Sequence, residues 1–315
     1  MGKSSELLKH CWQGVLALIA AVITLCFIFT HNVFDRDVCS PKNIGSGRAS
    51  LWDEEFKPEG KWRCKRVVSL TPSLTETICT LGAEEYLVGV TDNDDYPPVV
   101  KQLPSVGDMY PNLELIAAAA PDLIVYDETL LPSGVANRLT KLKGNLLPLR
   151  LNSLEDLAEV LPKLGEALGK QKEAAALSCQ LADFLAACQK RNERMKDRPT
   201  VFLTIWPNPI MTVGSSSYID NLITLAGGKN CYADLKIAYP IVSLEDLLQR
   251  EPDIIIMNCE GAPDINKLPG WSSLRAVRLG HVYHIPSSLL HRSTMRSLQG
   301  IELLHQYCEV SCEGK

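Results

Sequence analysis

Short apolar runs alternate with longer amphipathic stretches over most of the chain. Runs with the length and β-branched content of buried strands occur in RVVSL, YLVGV, DLIVY and NLLPLRL, and helical spacing lies between them in PSLTETICTLG and NLELIAAAA. After Lys196 the alternation starts again with TVFLTI, the helical SYIDNLITLAGG, and the strands DIIIMN and HVYHIP. The pattern predicts an α/β fold of two Rossmann-like lobes with mainly parallel sheets.

An internal repeat supports two related lobes. The sequence NLELI, which begins at Asn112, is followed after four residues by PDLIV, which begins at Pro121. The sequence SLEDL at Ser243 is followed after the same spacing by PDIII at Pro252. Each copy predicts a helix that is capped by Asn112 or Ser243, followed by a Pro-Asp turn into a buried strand.

The segment from Ser153 to Lys196 contains no strand-like run. Its Ala, Leu, Glu, Lys and Gln residues give it high helix propensity, and an apolar stripe recurs at helical spacing at Leu177, Leu181, Phe184, Leu185 and Cys188. We predict one long backbone helix in a linking region at 153–197, between an N-terminal lobe at 66–152 and a C-terminal lobe at 198–310. Such a rigid connection predicts a cleft of nearly constant width, which suits a large, preformed ligand.

The run from residue 11 to residue 34 contains no Asp, Glu, Lys or Arg, and roughly 20 apolar residues are enough for a helix to cross a hydrocarbon core. Lys3 and Lys9 precede the run, and Asp35 and Asp37 follow it. This charge bias predicts a single-pass signal anchor that leaves the N-terminus in the cytoplasm and the main domain outside it. A cleaved signal peptide is the alternative.

The flanking segments complete the predicted organisation. Residues 1–10 form a short cytoplasmic N-terminus. Residues 35–65 are rich in Gly, Pro and alternating charges, which cannot build a core, so they read as a linker between membrane and domain. The predicted location is therefore the cell membrane, with the folded domain in the periplasm or on the outer surface.

Composition and charge exclude several classes of function. A formal net charge of -5 without a long Lys/Arg block offers no surface for a nucleic-acid backbone, which excludes nucleic acid as a partner. The chain has no G-x-S-x-G elbow, no phosphate loop, no H-E-x-x-H and no G-x-G-x-x-G. We therefore predict a protein that is not an enzyme, has no resident cofactor and holds no metal ion.

Eleven cysteines are many for an exported chain, because an oxidising compartment pairs thiols. Their spacing contains no C-x-x-C and no zinc-finger arrangement. Cys231, after the end of an Ala-Gly-Gly helix, and Cys308, on the last helix, are both expected at one edge of the second lobe. This placement predicts a disulfide between them.

The segments RVVSLTPSLTETICTLGAEEYLVGVTDNDDYPP and LPSVGDMYPNLELIAAAAPDLIV resemble the opening of the helical-backbone class of ABC-transporter solute-binding proteins, in particular the vitamin B12 binders. The resemblance continues through YPIVSLEDLLQREPDIII to the closing W-x-x-L-x-A-V-x-x-G-x-V-Y-x-I, and covers about Arg66 to Tyr307. It implies capture of a corrinoid such as cobalamin between the lobes and delivery to an ABC permease dimer with its ATPase subunits. Related binders accept haem or ferric siderophores, which remain alternatives, as does a membrane-anchored corrinoid sensor or scavenger.

The resemblance also places the ligand between loops that follow the strands of each lobe. A corrin ring offers broad apolar faces and an amide fringe, which suit aromatic rings and hydrogen-bonding side chains. The residues at matching positions are Asn93, Asp95, Tyr96, Tyr110, Trp206, Tyr239, Ser288, His291 and Arg292. For the Asp95 segment a rigid turn is an equally simple reading. Trp206 could instead be a packed loop residue, but its place in a loop after a strand of the second lobe favours exposure in the cleft. For haem, Tyr110, Tyr239 or His291 could supply an axial ligand.

Two glutamates occupy equivalent places in the internal repeat. Glu114 and Glu245 are each expected at the second position of a helix, where a carboxylate is stabilised by the helix dipole whatever else it does. The resemblance implies a further role, because members of that class present one glutamate on each lobe to a two-fold permease. We therefore predict that both residues dock the permease.

Overall fold

The computed structural model describes residues 64–132, 134–258 and 264–313, which belong to one compact unit that starts at Pro58. The predicted membrane segment at 11–34 and nearly all of the linker at 35–65 lie outside the described residues. Within the described ranges, no helix combines the length and the apolar character that a membrane crossing requires.

The first lobe contains a sheet of four parallel strands. They are β1 (Val67–Ser69), β2 (Leu87–Gly89), β3 (Leu123–Asp127) and β4 (Asn145–Leu149), in the order β2-β1-β3-β4. Its helices are α1 (Pro72–Thr80), α2 (Leu113–Ala118) and α3 (Val135–Leu139). Every residue of β1 and β3 is buried, as expected for parallel strands covered on both faces.

The second lobe repeats this arrangement. Its parallel strands are β5 (Thr200–Thr204), β8 (Lys229–Asn230), β9 (Ile254–Met257) and β10 (Val282–His284), in the order β8-β5-β9-β10, with a small hairpin of β6 (Trp206–Pro207) and β7 (Ile210–Met211). Its helices are α6 (Tyr218–Leu225), α7 (Leu244–Arg250), α8 (Arg275–Arg278) and α9 (Ser297–Glu313). Both sheets thus order their strands 2-1-3-4 in sequence, and the predicted two-lobed parallel α/β fold is confirmed.

Each copy of the sequence repeat covers a helix and the strand that follows it, α2 with β3 in the first lobe and α7 with β9 in the second. In chain order, β3 and β9 are the third strands of their sheets. The predicted helix caps are present: Asn112 Oδ1 accepts from the Glu114 amide at 2.9 Å, and Ser243 Oγ accepts from the Asp246 amide at 3.1 Å. In both lobes the carboxylate of the Pro-Asp turn also accepts a hydrogen bond from a backbone N–H at the start of the first strand. Asp122 accepts from Lys65 and Arg66, and Asp253 accepts from Thr200.

Two helices lie between the sheets, where the sequence predicts one. Helix α4 (Leu154–Leu168) begins at the Ser153 cap and ends at Gly169, whose φ of 69° lies in the left-handed region that favours glycine. Helix α5 (Gln171–Arg194) then turns back and packs along α4. The linking region is helical as predicted, but the glycine interrupts it, so only α5 is a long helix.

Three hydrophobic clusters show how the lobes are joined. The largest contains one face of both sheets together with buried side chains of α4, α5 and α9. A second cluster covers the other face of the second sheet, and a third covers the other face of the first. Neighbouring strand residues alternate between clusters, as Val67 and Val68 do. The lobes therefore share one core on the side of the helices, which limits how far they can move apart.

The predicted disulfide between Cys231 and Cys308 is wrong. Cys231 is a free thiol that packs against the cluster specific to the second lobe, whereas Cys308 is buried in the shared cluster. The two clusters lie on opposite faces of the second sheet, which keeps the sulfur atoms apart. Burial, the largest cause, raises the pKa of the Cys231 thiol to about 12.

Candidate functional site

Loops beyond the carboxyl ends of the parallel strands form the candidate site, because in such sheets all strands end at the same edge. In the first lobe these loops follow β1 and β2, and in the second they follow β5, β8 and β10. Hydrogen bonds between Arg292 of the second lobe and residues near Asp95 of the first bring the two edges together. The candidate site is therefore a cleft between two sheet edges.

A buried ionic cluster joins the lobes at this cleft. Arg292 donates through Nη1 to Oε1 of Glu76 and to Oδ1 of Asp95, each at 2.6 Å. Arg296 lies 3.4 Å from the same oxygen of Glu76, and Thr294 donates to the other oxygen at 3.3 Å. We call these five residues the inter-lobe cluster. Its two arginines balance its two carboxylates, so every charge in it has an opposite partner.

Burial decides which charge of this cluster matters most. The Glu76 side chain is 2% exposed, against 17% for Arg292 and 53% for Asp95. Burial alone would lower the pKa of Arg292, but hydrogen bonds to Glu76 and Asp95 outweigh it and raise that pKa above its ordinary value. Glu76 is the deepest charge and therefore the one whose partners are costly to remove.

Several residues predicted to bind ligand are already engaged by this cluster. Asp95 accepts from Arg292, and the carbonyl oxygen of Asn93 accepts from Arg292 Nη2 at 3.2 Å. The Tyr96 ring lies against Arg296, with 3.7 Å between guanidinium carbon and ring centroid. Ser288 Oγ accepts from Arg296 at 3.3 Å. The structure thus gathers these residues in one place, with their polar groups directed at one another.

A second group of predicted residues carries exposed rings. Tyr110 is 75% exposed, Trp206 54% and Tyr239 48%. We call these three side chains the aromatic rim. Single exposed apolar residues are common on protein surfaces, but these three rings lie in loops beyond the carboxyl ends of the strands of both lobes, where a ligand can cover them.

Local structure fixes each segment of the aromatic rim. Trp206 lies in the β6–β7 hairpin that follows β5, and its Nε1 donates to the carbonyl of Asn208 at 3.0 Å. The Tyr239 segment runs beside Gly214, where a Cβ would lie 2.1 Å from the Ile237 carbonyl oxygen, so the close approach requires glycine.

Tyr110 ends a segment that continues the first sheet beyond β2. The Val106 amide donates to the Val90 carbonyl at 2.8 Å, and the Asp92 amide donates to the Gly107 carbonyl at 3.0 Å. The Asn112 amide then donates back to Val106 at 2.7 Å, just before α2. The Tyr110 side chain is therefore exposed on a backbone that hydrogen bonds hold at both ends.

His291 lies beside Arg292 with an exposed side chain. Desolvation of its imidazole, followed by the positive charge of Arg292, lowers its pKa below the ordinary value of 6.5. The imidazole is therefore held neutral near pH 7, the form that can accept a hydrogen bond or bind a metal.

Asp127, the last residue of β3, has a local role. It is 2% exposed, and its Oδ1 accepts from the amide and the hydroxyl of Thr129 at 2.9 and 2.7 Å. This is the hydrogen-bond pattern of a turn after β3. The first lobe thus offers no ring at that place.

Glu114 and Glu245 occupy matching places outside the inter-lobe cluster. Each is the second residue of its helix, α2 or α7, and each side chain is exposed. Among the described residues, neither carboxylate forms an ion pair. The structure therefore leaves both available on the surfaces of the two lobes.

Sequence reasoning missed Glu76 and its contacts with Thr294 and Arg296. Glu76 is separated from its partner Arg292 by 216 residues, so no local pattern links them. The available signal was a single acidic residue within the hydrophobic and hydroxyl-bearing helix PSLTETICT, on a helix that follows the first strand. A buried carboxylate there requires a cation, and the sequence HRSTMR contains two.

Known proteins that are similar to this chain are binding proteins. Residues 67–289 match a family model described as periplasmic binding protein. The substrate-binding lipoprotein YvrC of Bacillus subtilis, described as belonging to an ABC transporter, is 32% identical over 265 residues, which cover 81% of this chain and 82% of that protein. A vitamin B12-binding protein of Vibrio parahaemolyticus is 28% identical over 243 residues, which cover 75% and 86%.

The solved structures include the apo form of a periplasmic haem-binding protein from Roseiflexus. It superimposes with a TM-score of 0.69 and 25% identity, over 78% of this chain and 99% of that one.

Proposed function

Because this chain belongs to the periplasmic binding protein family, we propose that its cleft captures a corrinoid, cobalamin, outside the cytoplasm for delivery to an ABC importer. The family and its relatives show that the chain is a solute-binding protein of an ABC importer and not an enzyme. The ligand is the proposal.

The aromatic rim is the observation that carries the proposal. Tyr110 belongs to one lobe, and Trp206 and Tyr239 belong to the other, so a flat ligand between the lobes meets rings from both sides. A corrin ring has the size and the apolar faces that such rings cover. The relative from Vibrio parahaemolyticus, named as a vitamin B12-binding protein, supports the same ligand.

Polar residues beside the rim suit the amide fringe of a corrinoid. Asn93 and His291 have exposed side chains, and Ser288 offers a hydroxyl that already accepts from Arg296. Arg292 and Asp95 hold one another, so we propose that they position the loops and contribute to the ligand only through their remaining hydrogen-bonding capacity. A site preformed in this way loses little conformational entropy on binding.

A visible absorption spectrum tests the ligand directly. The described domain, purified from about residue 64, is incubated with cobalamin or with haem and freed of unbound ligand by gel filtration. We expect the cobalamin bands to elute with the protein in equimolar amount. A protein fraction that carries the haem Soret band and no cobalamin would contradict the proposal.

Haem is the second candidate. The structural likeness to the haem-binding protein from Roseiflexus favours it, and the phenols of Tyr110 and Tyr239 or the neutral imidazole of His291 supply the type of axial ligand that haem iron requires. A variant that combines Tyr110→Phe, Tyr239→Phe and His291→Gln distinguishes haem from cobalamin. It should shift the spectrum of bound haem, because the axial ligands are lost, and should leave stacking on a corrin ring largely intact.

We further propose that Glu114 and Glu245 dock the two lobes on the permease dimer. Exposed charges steer association and fix register more than they add affinity, so reversal should impair delivery and spare capture. The test compares two double variants. One combines Glu114→Lys and Glu245→Lys, and the matched control combines Glu85→Lys and Glu251→Lys. We expect loss of transporter-dependent uptake only in the first variant, with cobalamin affinity unchanged in both.

The same uptake assay separates transport from the alternative of a membrane-anchored sensor or scavenger. Normal uptake by the Glu114/Glu245 variant contradicts docking through these residues. Deletion of the chain without loss of corrinoid uptake contradicts delivery itself.

For the membrane attachment we propose an uncleaved helix at residues 11–34, which has no charged side chain. The intact mass of the protein from the membrane fraction tests this. We expect the mass of the full chain, and a mass that shows cleavage before the domain, with or without an added lipid, contradicts the proposal.

A further inference from the structure

A pocket of about 830 Å³ lies on the second lobe, away from the cleft. The end of α5, the segment that leads into β5, and the middle of α9 line it, with Lys190, Arg191, Arg194, Lys196, His305 and Glu309 as the lining residues that matter here. We call it the basic pocket. Nothing in the ligand-capture mechanism uses these residues.

Hydrogen bonds place the basic pocket at the amino edge of the second sheet. His305 Nδ1 donates to the carbonyl of Ala226 at 3.0 Å, just before β8 begins. Lys196 lies just before β5, which starts at Thr200, whereas Trp206 of the aromatic rim follows the other end of that strand. The length of the sheet therefore separates the basic pocket from the cleft.

The lining has more cations than its own acids neutralise. Arg191 Nη1 donates to both carboxylate oxygens of Glu302, at 3.1 and 3.2 Å, and its buried Nε has no hydrogen-bond partner. In the described part of the chain, Lys190, Arg194 and Lys196 have no ion-pair partner. The lining carboxylates are Asp197 and Glu309, the second of which lies 3.2 Å from His305 Nε2.

The helix dipole explains only part of this charge. The carboxyl end of a helix carries roughly half a negative charge, which favours cations in the last turn. Arg191 and Arg194 lie in that turn. Lys196 lies beyond the helix and His305 comes from α9, so two separate elements add donors around one cavity.

We propose that the basic pocket binds a soluble, phosphate-bearing anion. Guanidinium and ammonium groups are the side chains that recognise phosphate oxygens, and Lys190, Arg194 and Lys196 present exposed ones around this pocket. The pocket has room for a diphosphate or an organic phosphate. Glu114 and Glu245, which we propose to dock a permease in the membrane, lie at the opposite edge of the sheets. The pocket therefore faces away from the membrane in the docked protein, which favours a soluble ligand over a lipid headgroup. The proposal does not depend on what the cleft binds.

Calorimetric titration with inorganic pyrophosphate at low salt tests the proposal. The test variant combines Lys190→Gln, Arg194→Gln and Lys196→Gln, and the control combines Lys143→Gln, Lys163→Gln and Lys172→Gln, which changes the net charge equally with residues outside the pocket. All six side chains are exposed, so both variants should keep the unfolding midpoint of the unaltered protein. We expect saturable binding that weakens about tenfold or more only in the pocket variant.

Three results would overturn the proposal. The first is no pyrophosphate binding by the unaltered protein at millimolar concentration. The second is equal weakening in both variants, which indicates diffuse surface charge. The third is sedimentation with phosphatidylglycerol vesicles, lost in the pocket variant, without any binding of pyrophosphate, which indicates a lipid surface as the partner.

Discussion

The inter-lobe cluster and the aromatic rim lie in neighbouring loops at the same sheet edges, yet they differ in what they can still bind. In the cluster, Glu76 and Arg292 are largely buried and have opposite charges as partners. In the rim, Tyr110, Trp206 and Tyr239 are at least 48% exposed. A solute-binding cleft thus contains residues that set its shape and residues that contact its ligand, and sequence position alone does not separate them.

The largest expected effect comes from breaking the cluster at its deepest charge. Replacement Glu76→Ala leaves Arg292 and Arg296 without their shared carboxylate, and removal of one partner of a buried ion pair costs about 3 kcal/mol. We expect the free energy of unfolding to fall by about that amount. Urea denaturation followed by circular dichroism measures it.

An exposed carboxylate is the matched control for Glu76. Replacement Glu114→Ala removes a surface charge at a helix start and should change the free energy of unfolding by about 1 kcal/mol or less. Equal stability of the Glu76→Ala and Glu114→Ala variants would show that the cluster does not hold the lobes together.

Truncation of the rim should give the opposite pattern. Replacement of Trp206 and Tyr239 by Ala should weaken cobalamin binding by about 1 to 3 kcal/mol for each ring that the ligand buries. The free energy of unfolding should hardly change, because both rings are exposed in the free protein. Equilibrium dialysis measures the affinity. The control Leu279→Ala removes another exposed apolar side chain, 54% exposed, from outside the cleft, and an equal loss in this variant would contradict the assignment.

Tyr96 lies between the two groups and sharpens their comparison. It is 41% exposed, yet its ring lies over Arg296. Replacement Tyr96→Leu should lower the free energy of unfolding by about 0.5 to 1 kcal/mol, the range for an exposed cation–π pair. Tyr96→Phe keeps the ring and should not. Thermal unfolding of the two variants side by side decides this, and an equal loss in both would assign the effect to the hydroxyl.

His291 should produce the smallest effect, visible only against pH. Its folded pKa is lowered from 6.5, so the unfolded chain binds the proton more readily than the folded one. Stability therefore rises with pH in this region: the cost is absent well above pH 6.5, grows as the pH falls from 6.5 towards the lowered folded pKa, and is constant below it. Relative to His291→Gln, the unaltered protein should lose stability on acidification from pH 7.5 to pH 5.5. Parallel pH profiles of the two proteins would contradict this.

Local sequence signals predicted much of the fold. The caps at Asn112 and Ser243, the Pro-Asp turns and the two sets of strands depend on residues close together in the chain, and the structure contains them. The long helix lies at Gln171–Arg194, where the apolar stripe predicts it, but the separate helix α4 before it was not predicted, because Gly169 ends α4 and the chain turns back. Helix propensity summed over a segment does not reveal that one glycine stops it.

Pairings between distant residues could not be predicted. The partners Glu76 and Arg292 are 216 residues apart. The incorrect Cys231–Cys308 disulfide assumed that both cysteines lie at one edge of the lobe, whereas they pack on opposite faces of the sheet. Face assignment reverses with a shift of one residue along a strand. The candidate binding residues were found by resemblance, and only the structure divides them into engaged and exposed groups.

Calorimetric titration of cobalamin into the purified domain tests the central claim most directly. We expect saturable binding with one ligand per protein, in the unaltered domain and in the Glu114/Glu245 double variant, and weakened binding once Trp206 and Tyr239 are replaced by Ala. An absence of heat with cobalamin and with cobinamide, together with tight binding of haem, would contradict the account.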